Sequence, residues 1–399
     1  MARIGIYGGS FNPPHLGHVL AAKKTRELLG LDQIIFVPAA IPPHKAVADG
    51  SPDGQIRYEL TKLAVSDEEG MFVSRIELDR DGPSYTVDTL RELRECYGQD
   101  ELYLLMGTDM FLSFLDWRGP GEIASMARLV CMARTRADDA LTAQLQAQAA
   151  AIERAFGTAP IVLQNDCLEI SSTEARRLLF FGIADGLLHP AVLERIERDG
   201  LYGVHGDYRN LPFAELSHVS LGLHKQKRRA HAQGVSDTAV LLAKKYGADA
   251  RDAARAGILH DITKALDAGQ QRKLVDHWQL PVSAFEYEQT KLLHAKTGAA
   301  AAARIFGEND AIVSAIDYHT TGRADMTVLE KIIYIADYME PNRDFPGVDR
   351  LREVVWRDLD EGVLLGIDMT LEQLRLKGQP ACNDSLTARQ WLLAHRKES

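Results

Sequence analysis

The stretch GGSFNPPHLGH, residues 8–18, decides how the first half of the chain is read. Before it stands a short apolar run of strand character, Arg3-Ile4-Gly5-Ile6-Tyr7. After it, residues 19–29 repeat apolar side chains at helical spacing. The stretch is therefore a strand-to-helix turn. A helix start offers unpaired backbone N–H groups and the positive end of a dipole, which suits phosphate. His15 and His18, three residues apart, share one face of that start. Two imidazoles beside a glycine turn read as a phosphate grip, although glycine and proline are also ordinary loop punctuation.

The alternation continues outward. Strand-like residues 33–37 run into Pro38 and a loop ending Ile41-Pro42-Pro43-His44-Lys45. A helical stretch at 57–65, a strand at 71–74, a helix over 84–95 and a strand at 101–106 follow. Beyond them come a strand at 128–133, a helical 138–156 and a short strand at 160–163. Such alternation predicts an α/β domain with a mainly parallel sheet, right-handed crossovers and ligands at the carboxyl ends of the strands. The candidate residues fall there: Gly8, Gly9, Ser10 and Phe11 after the first strand, Lys45 after the second, Gly107 and Asp109 after a third, Arg134 after the next. After the last strand, Ile170-Ser171-Ser172-Thr173-Glu174-Ala175-Arg176 opens a helix whose free N–H groups, with Arg176, suit phosphate. By itself, Ser171 with Glu174 is only a capping box.

At 399 residues, two domains are expected. A hydrophobic content of 46% with 26% charged residues supplies ample core material. The net charge of −10 argues against a nucleic-acid coat or a polybasic membrane anchor, but not against nucleotides gripped locally. Cys96, Cys131, Cys167 and Cys382 are scattered, with no C-x-x-C pair, and read as reduced thiols. With no signal-peptide pattern and no membrane-length apolar run, the expectation is a cytoplasmic enzyme without nucleic-acid or membrane partners, its homo-oligomeric state open.

The opening motif resembles the H-x-G-H signature of the nucleotidylyltransferase superfamily. Pro43-His44-Lys45, Ser84-Tyr85-Thr86, Gly107-x-Asp109 followed by Trp117, and I-S-S-T-x-x-R occur in the order seen in bacterial nicotinate-mononucleotide adenylyltransferases (the NadD-like family). The resemblance covers residues 1–205, and implies a Rossmann-like fold that transfers an adenylyl group from ATP to nicotinate mononucleotide. It assigns His15, His18, Lys45 and Arg176 to catalysis by charge neutralisation, with Mg²⁺ accompanying ATP. Gly8, Gly9, Ser10, Phe11, Thr86, Gly107, Asp109, Arg134, Ser171, Ser172 and Thr173 become nucleotide contacts. Asp109 reads equally as a solvated loop carboxylate. Trp117 reads as a stacking surface for the nicotinate ring or as core packing. Thr108 stands where that family often has alanine.

Residues 206–212 read as a linker, and the character then changes. Stretches 214–223, 236–246, 250–259, 296–306 and 329–338 are helical with no β-rich runs between them, which predicts an all-α second domain over 213–399. Its histidines have a metal rhythm: His231, His260 beside Asp261, His294, His319, and Asp337 further on. A carboxylate next to a histidine at a helix end, with a distant His and Asp, can build a mixed N/O site for iron, manganese or zinc. The lack of cysteine there disfavours a closed structural zinc site.

This half resembles the HD phosphohydrolase superfamily, and within it the bacterial symmetrical diadenosine-tetraphosphate hydrolases of the YqeK type. The match includes Y-H-T-T-G-R, L-E-K-I-I-Y-I-A-D-Y-M-E-P and R-D-F-P-G-V. It implies that His231, His260, Asp261 and Asp337 hold a metal, iron by the family's habit. His294 and His319 would contact phosphate or complete a second metal site. Arg228, Lys264 (a catalytic cation), Thr320 and Tyr334 would contact nucleotide or phosphate, while Lys225 and Lys227 read as a solvated helix face. Implied is hydrolysis of diadenosine tetraphosphate to two ADP. Two alternatives stay open for this half: another nucleotide or alarmone as substrate, or a non-catalytic nucleotide sensor. For the first half, acid and amide mononucleotides are not distinguished by residue chemistry.

Overall fold

A computed structural model describes residues 1–42, 47–134, 139–165 and 170–395. The chain divides into two compact units, Met1–Gly206 and Asp207–Ser399.

The first unit runs β1 (Arg3–Gly9), α1 (Leu16–Leu29), β2 (Gln33–Pro38), α2 (Gly54–Ala64), β3 (Met71–Val73), α3 (Thr86–Tyr97) and β4 (Glu101–Gly107). It continues through α4 (Thr108–Leu112), α5 (Pro120–Met126), β5 (Arg128–Arg134), α6 (Asp139–Phe156), β6 (Ile161–Asn165), α7 (Ser172–Phe180) and α8 (Pro190–Asp199). The strands form one sheet in the order β3-β2-β1-β4-β5-β6, and every neighbouring pair is parallel. Central strands covered on both faces carry continuous apolar runs, as Leu102, Tyr103, Leu104, Leu105 and Met106 do, all at most 3% exposed. From β1 the chain winds outward through β2 and β3, then returns to the other side of β1 as β4. The crevice between the carboxyl ends of β1 and β4 is therefore the topological switch point, where open α/β sheets bind ligands. His15 caps α1 in an extended conformation, and Gly30 ends it at φ 57°, a left-handed position that favours glycine.

The second unit is helical: α9 (Phe213–Leu223), α10 (Arg229–Tyr246), α11 (Ala250–Leu259), α12 (Ala268–Trp278), α13 (Ala284–Glu288) and α14 (Thr290–Arg304). Then come α15 (Asp310–Asp317), α16 (Val328–Met339), α17 (Val348–Arg357), α18 (Leu359–Leu376) and α19 (Asn383–Ala394). Two helices start earlier than their apolar periodicity predicts. α10 begins at Arg229 and α14 at Thr290, so His231 and His294 both lie on helices. The reason is that each extension buries a polar side chain, which an apolar count overlooks: both histidines are at most 8% exposed. α11 meets α10 backbone to backbone at Gly257, where a Cβ would lie 2.6 Å from the Ser236 Cα.

The stretch that composition reads as a linker packs on the second unit. The Asn210 N–H donates to the Phe306 carbonyl at 3.4 Å, and the buried Arg255 donates to the Leu211 carbonyl at 2.8 Å while pairing with Glu308 at 2.6 Å. Among the described residues, no helix is long and apolar enough to cross a membrane.

Candidate active sites

A cavity of about 460 Å³ opens at the carboxyl ends of β1 and β4. The turn after β1 makes its floor with Gly8, Gly9, Ser10, Phe11, His15 and His18. Phe11 holds φ 42°, and its ring, 1% exposed, packs edge-on against Tyr7 (5.5 Å between centroids) and His18 (5.1 Å). Gly9 lies under that ring, where a Cβ would come within 3.2 Å.

The His15 N–H donates to His18 Nδ1 at 3.2 Å, and the two rings stack 3.6 Å apart. Because Nδ1 accepts, the ring proton sits on Nε2. Burial, with the His15 ring beside it, holds His18 well below the usual histidine range. His18 is thus a neutral N–H donor at neutral pH.

The I-S-S-T segment comes to the same turn. Arg176 Nη1 donates to the Asn12 carbonyl at 2.6 Å, and Ser172 Oγ donates to the Pro13 carbonyl at 3.2 Å. Ser171 Oγ caps α7 by accepting from the Glu174 N–H at 3.2 Å. Ser171, Ser172, Thr173 and Arg176 all line the cavity, as do Thr86, Gly107, Asp109 and Trp117. Asp109 is exposed. Trp117 lines the cavity and also tilts against the buried Phe114 at 5.5 Å. Arg134 is the last residue of β5, whose neighbouring Met132 and Ala133 reach the cavity. Lys45 and Cys167 lie outside the described residues.

Two charged residues here escape sequence reasoning. Glu77, 6% exposed, lines the cavity, accepts from Thr89 Oγ1 at 2.6 Å, and is raised from the ordinary carboxylate range by burial. Arg57, 1% exposed, lies behind the turn and donates to the Ser10 carbonyl at 2.6 Å. One signal could have found Arg57: it falls on the buried stripe of α2 with Leu60, Thr61 and Ala64.

In the second unit the histidines converge. His260 ends α11 with Asp261 in the turn after it, His231 lies on α10, and Asp337 lies on α16. His260 Nδ1 donates to the Gly257 carbonyl at 2.7 Å, and His319 Nδ1 to the Ile316 carbonyl at 2.7 Å. His231 Nδ1 donates to Glu340 Oε1 at 3.1 Å. In each ring the outer nitrogen takes the proton, so the Nε2 lone pair points inward. The His231 lone pair faces Asp337 Oδ1 at 3.1 Å, and the His260 lone pair lies 3.5 Å from Asp261 Oδ2. Two lone pairs at such distances repel unless a cation, either a metal ion or a second proton on the ring, lies between them. Metal-competent donor atoms of His231, His260 and Asp337 fall within 4.8 Å of one another, as do those of His260, Asp261 and His319. The residues fit a transition-metal ion.

The surrounding charges fit as well. Burial opposes ionisation of Asp261, yet His260 and Lys264 hold its carboxyl well below the usual range. Asp337 is likewise held low, against burial, by His231 above all. Arg228 pairs with Asp261. His294 Nε2 lies 3.2 Å from Asp261 Oδ1 and 2.7 Å from Lys264 Nζ; burial, then Lys264, push that histidine down to about 4. Thr320, next to His319 in sequence, has a buried hydroxyl without a hydrogen-bond partner among the described residues. Tyr334 is 3% exposed in the helical core. Glu340, 1% exposed, was not anticipated; its other oxygen accepts from the Asn342 N–H and Nδ2, each at 2.8 Å. Gly234 makes room for it, since a Cβ there would meet Glu340 Oε2 at 2.4 Å.

Comparison with known proteins divides the chain the same way. A cytidylyltransferase-like family model matches residues 6–178, and an HD domain model matches residues 228–342. The chain is similar to a "Probable nicotinate-nucleotide adenylyltransferase" of Thermus thermophilus, 42% identical over 202 residues, which cover 50% of this chain and 99% of the relative. It is also similar to the "Bis(5'-nucleosyl)-tetraphosphatase, symmetrical" of Bacillus subtilis, 38% identical over 170 residues, covering 42% of this chain and 91% of that protein. A solved structure of a "predicted HD superfamily hydrolase involved in NAD metabolism" from Clostridium acetobutylicum covers 47% of this chain and 99% of its own, with 34% identity and a TM-score of 0.45.

Proposed function

The chain belongs over its first half to the cytidylyltransferase-like family of nicotinate-nucleotide adenylyltransferases and over its second half to the HD family, and from that premise we propose two activities. The first unit transfers an adenylyl group from ATP to nicotinate mononucleotide, giving deamido-NAD and pyrophosphate. The second hydrolyses diadenosine tetraphosphate symmetrically to two ADP.

In the first reaction, the phosphate of the mononucleotide attacks the α-phosphorus of ATP in line, and pyrophosphate leaves. The nucleophile is already anionic, so no general base is required. Catalysis is positioning plus neutralisation of the charge that builds on the phosphates. His18 donates its Nε2–H, and His15 stacks on it. Arg176 and Lys45 add fixed positive charge, and Mg²⁺ would enter with ATP to screen its phosphates. The glycine turn and the backbone at the start of α1 receive the triphosphate, Thr86, Asp109 and Trp117 flank the sugar and ring, and Arg134 completes the phosphate contacts. The observation that carries this reading is the junction of Arg176 and Ser172 with the carbonyls of Asn12 and Pro13, which brings two anion-binding helix starts to one cavity. Purified protein should convert ATP and nicotinate mononucleotide to deamido-NAD, and nicotinamide mononucleotide more slowly. Equal rates with the amide would overturn the substrate assignment.

In the second reaction, His231, His260, Asp261 and Asp337 would hold a divalent transition metal, with iron favoured. Such an ion supplies Lewis acidity and lowers the pKa of water for attack on phosphorus. Lys264 and Arg228 take up charge on the departing ADP, with His294, His319 and Thr320 lining the path of the phosphates. Metal-loaded protein should release ADP alone from diadenosine tetraphosphate. ATP with AMP would mean the cut falls elsewhere, and hydrolysis only of other nucleotides would reassign the substrate.

A further inference from the structure

Arg57 is a buried cation with no carboxylate in ion-pair range among the described residues. Among the described residues its hydrogen bonds go to backbone carbonyls: Ser10 at 2.6 Å, Ala39 at 2.6 Å and Ala40 at 3.1 Å. Its Nε is buried and has no hydrogen-bond partner among the described residues. The nearest titratable groups are Tyr202, a phenol that burial pushes upward and so keeps neutral, and Asp53, an exposed carboxylate that is occupied in capping α2 at the Ile56 N–H, 2.8 Å. Burial lowers the guanidinium from its ordinary value, but arginine remains charged in proteins. An isolated buried charge is costly, and proteins pair such charges. Among the described residues its direct partners are dipoles alone, with the Asp53 carboxylate acting only through the field.

The three carbonyls belong to the two loops that follow β1 and β2. Ser10 lines the cavity, and Ala39 and Ala40 begin the loop that leads toward Lys45. The same loop is held from its other side, with the Ala39 N–H on the Gly9 carbonyl (2.9 Å) and the Ala40 N–H on Ser84 Oγ (3.0 Å). Arg57 therefore locks the two loops together. In a trans peptide the C=O and N–H lie in one plane and point in opposite directions, so fixing the Ser10 carbonyl on Arg57 also turns the Phe11 N–H away from that guanidinium.

We propose that Arg57 is a positioning residue of the adenylyl-transfer site, a fixed cation beneath the phosphate turn whose counter-charge is the polyphosphate of the bound nucleotide. This rests on the adenylyltransferase reading given above. Its action is through the peptide of Ser10 and through the field, without touching the substrate.

The test is calorimetric binding of inorganic pyrophosphate to the full chain, with steady-state adenylyl transfer beside it. Arg57→Gln should weaken pyrophosphate at least tenfold, a change of about 1.4 kcal/mol. Arg57→Lys keeps the charge but cannot span three carbonyls. It should hold pyrophosphate within about threefold of the parent while kcat falls about tenfold. Arg57→Gln binding pyrophosphate within twofold of the parent would overturn the proposal. If Arg57→Gln does not fold, Arg57→Lys decides: a tenfold loss of affinity with charge retained, or an unchanged kcat, would equally overturn it. If the parent chain makes no dinucleotide, the adenylyltransferase reading fails, and pyrophosphate binding by the two variants still tests the buried charge.

Discussion

His18 presents one neutral N–H from the head of α1 into the cavity, so its removal deletes one contact to charge that grows in the transition state. His18→Ala should slow deamido-NAD formation by roughly 10²–10³ and leave tetraphosphate hydrolysis unchanged, as assays of both products on one preparation would show. His224 carries a different expectation. It is 3% exposed, donates Nδ1–H to the Ser220 carbonyl at 2.7 Å, and is pushed down to about 4 by burial. The unfolded chain takes up a proton near pH 6.5, which the folded one refuses until about pH 4. Stability is thus present above pH 6.5 and declines as pH falls toward 4, by about 3 kcal/mol for this residue. His224→Gln should flatten the melting temperature against pH over that window, and an unchanged slope would count against the assignment. At this scale the sequence was readable wherever chemistry is written in a motif: His15, His18, the I-S-S-T turn and the HD pair. It was silent on Arg57 and Glu77, and gave Glu340 no role although it stands in the I-A-D-Y-M-E-P match, because a charged residue within a helical or loop pattern looks solvated until the fold shows what covers it.

Helices α10 and α11 carry the metal-site residues to each other, and the closeness of their crossing rests on Gly257. A methyl group there would strike the Ser236 backbone, and the Gly257 carbonyl is also what fixes the His260 ring. Gly257→Ala should cost about 1–3 kcal/mol in chemical denaturation. It should also lower bound metal in elemental analysis, because His231 and His260 are separated with the helices that bear them. A variant of parental stability and metal content would show that the crossing relaxes freely. The β1-to-α1 turn and the alternation of strand and helix were legible because their periods are strong. The early starts of α10 and α14 were not, since each extension buries a histidine, His231 or His294, against neighbours that only tertiary packing supplies.

For the whole molecule, each unit has its own core and its own candidate site, so the fragments 1–206 and 207–399 are expected to fold separately, each with a cooperative melting transition. The exact cut matters. Removing residues through 211 as well would strip the Leu211 carbonyl from the buried Arg255, and the fragment 212–399 should be less stable than 207–399 by about 1–2 kcal/mol in urea. Equal stability would mean that water replaces that carbonyl without loss. Composition marked residues 206–212 as a joint by their glycine, aspartate, asparagine and proline, and could not show which neighbour they pack on.

The bonds that join Arg176 to Asn12 and Ser172 to Pro13 span 164 and 159 residues. On a ribosome, the GGSFNPPHLGH turn emerges early, but the helix that completes its cavity emerges only after nearly all of the first unit has been made. A nascent chain stalled before residue 172 would thus expose the histidine turn without its closing partner, and should hold pyrophosphate poorly. One released past residue 206 has every described element of that cavity while the HD half is still being synthesised. Translation order alone would then make adenylyl transfer the earlier of the two proposed activities to appear.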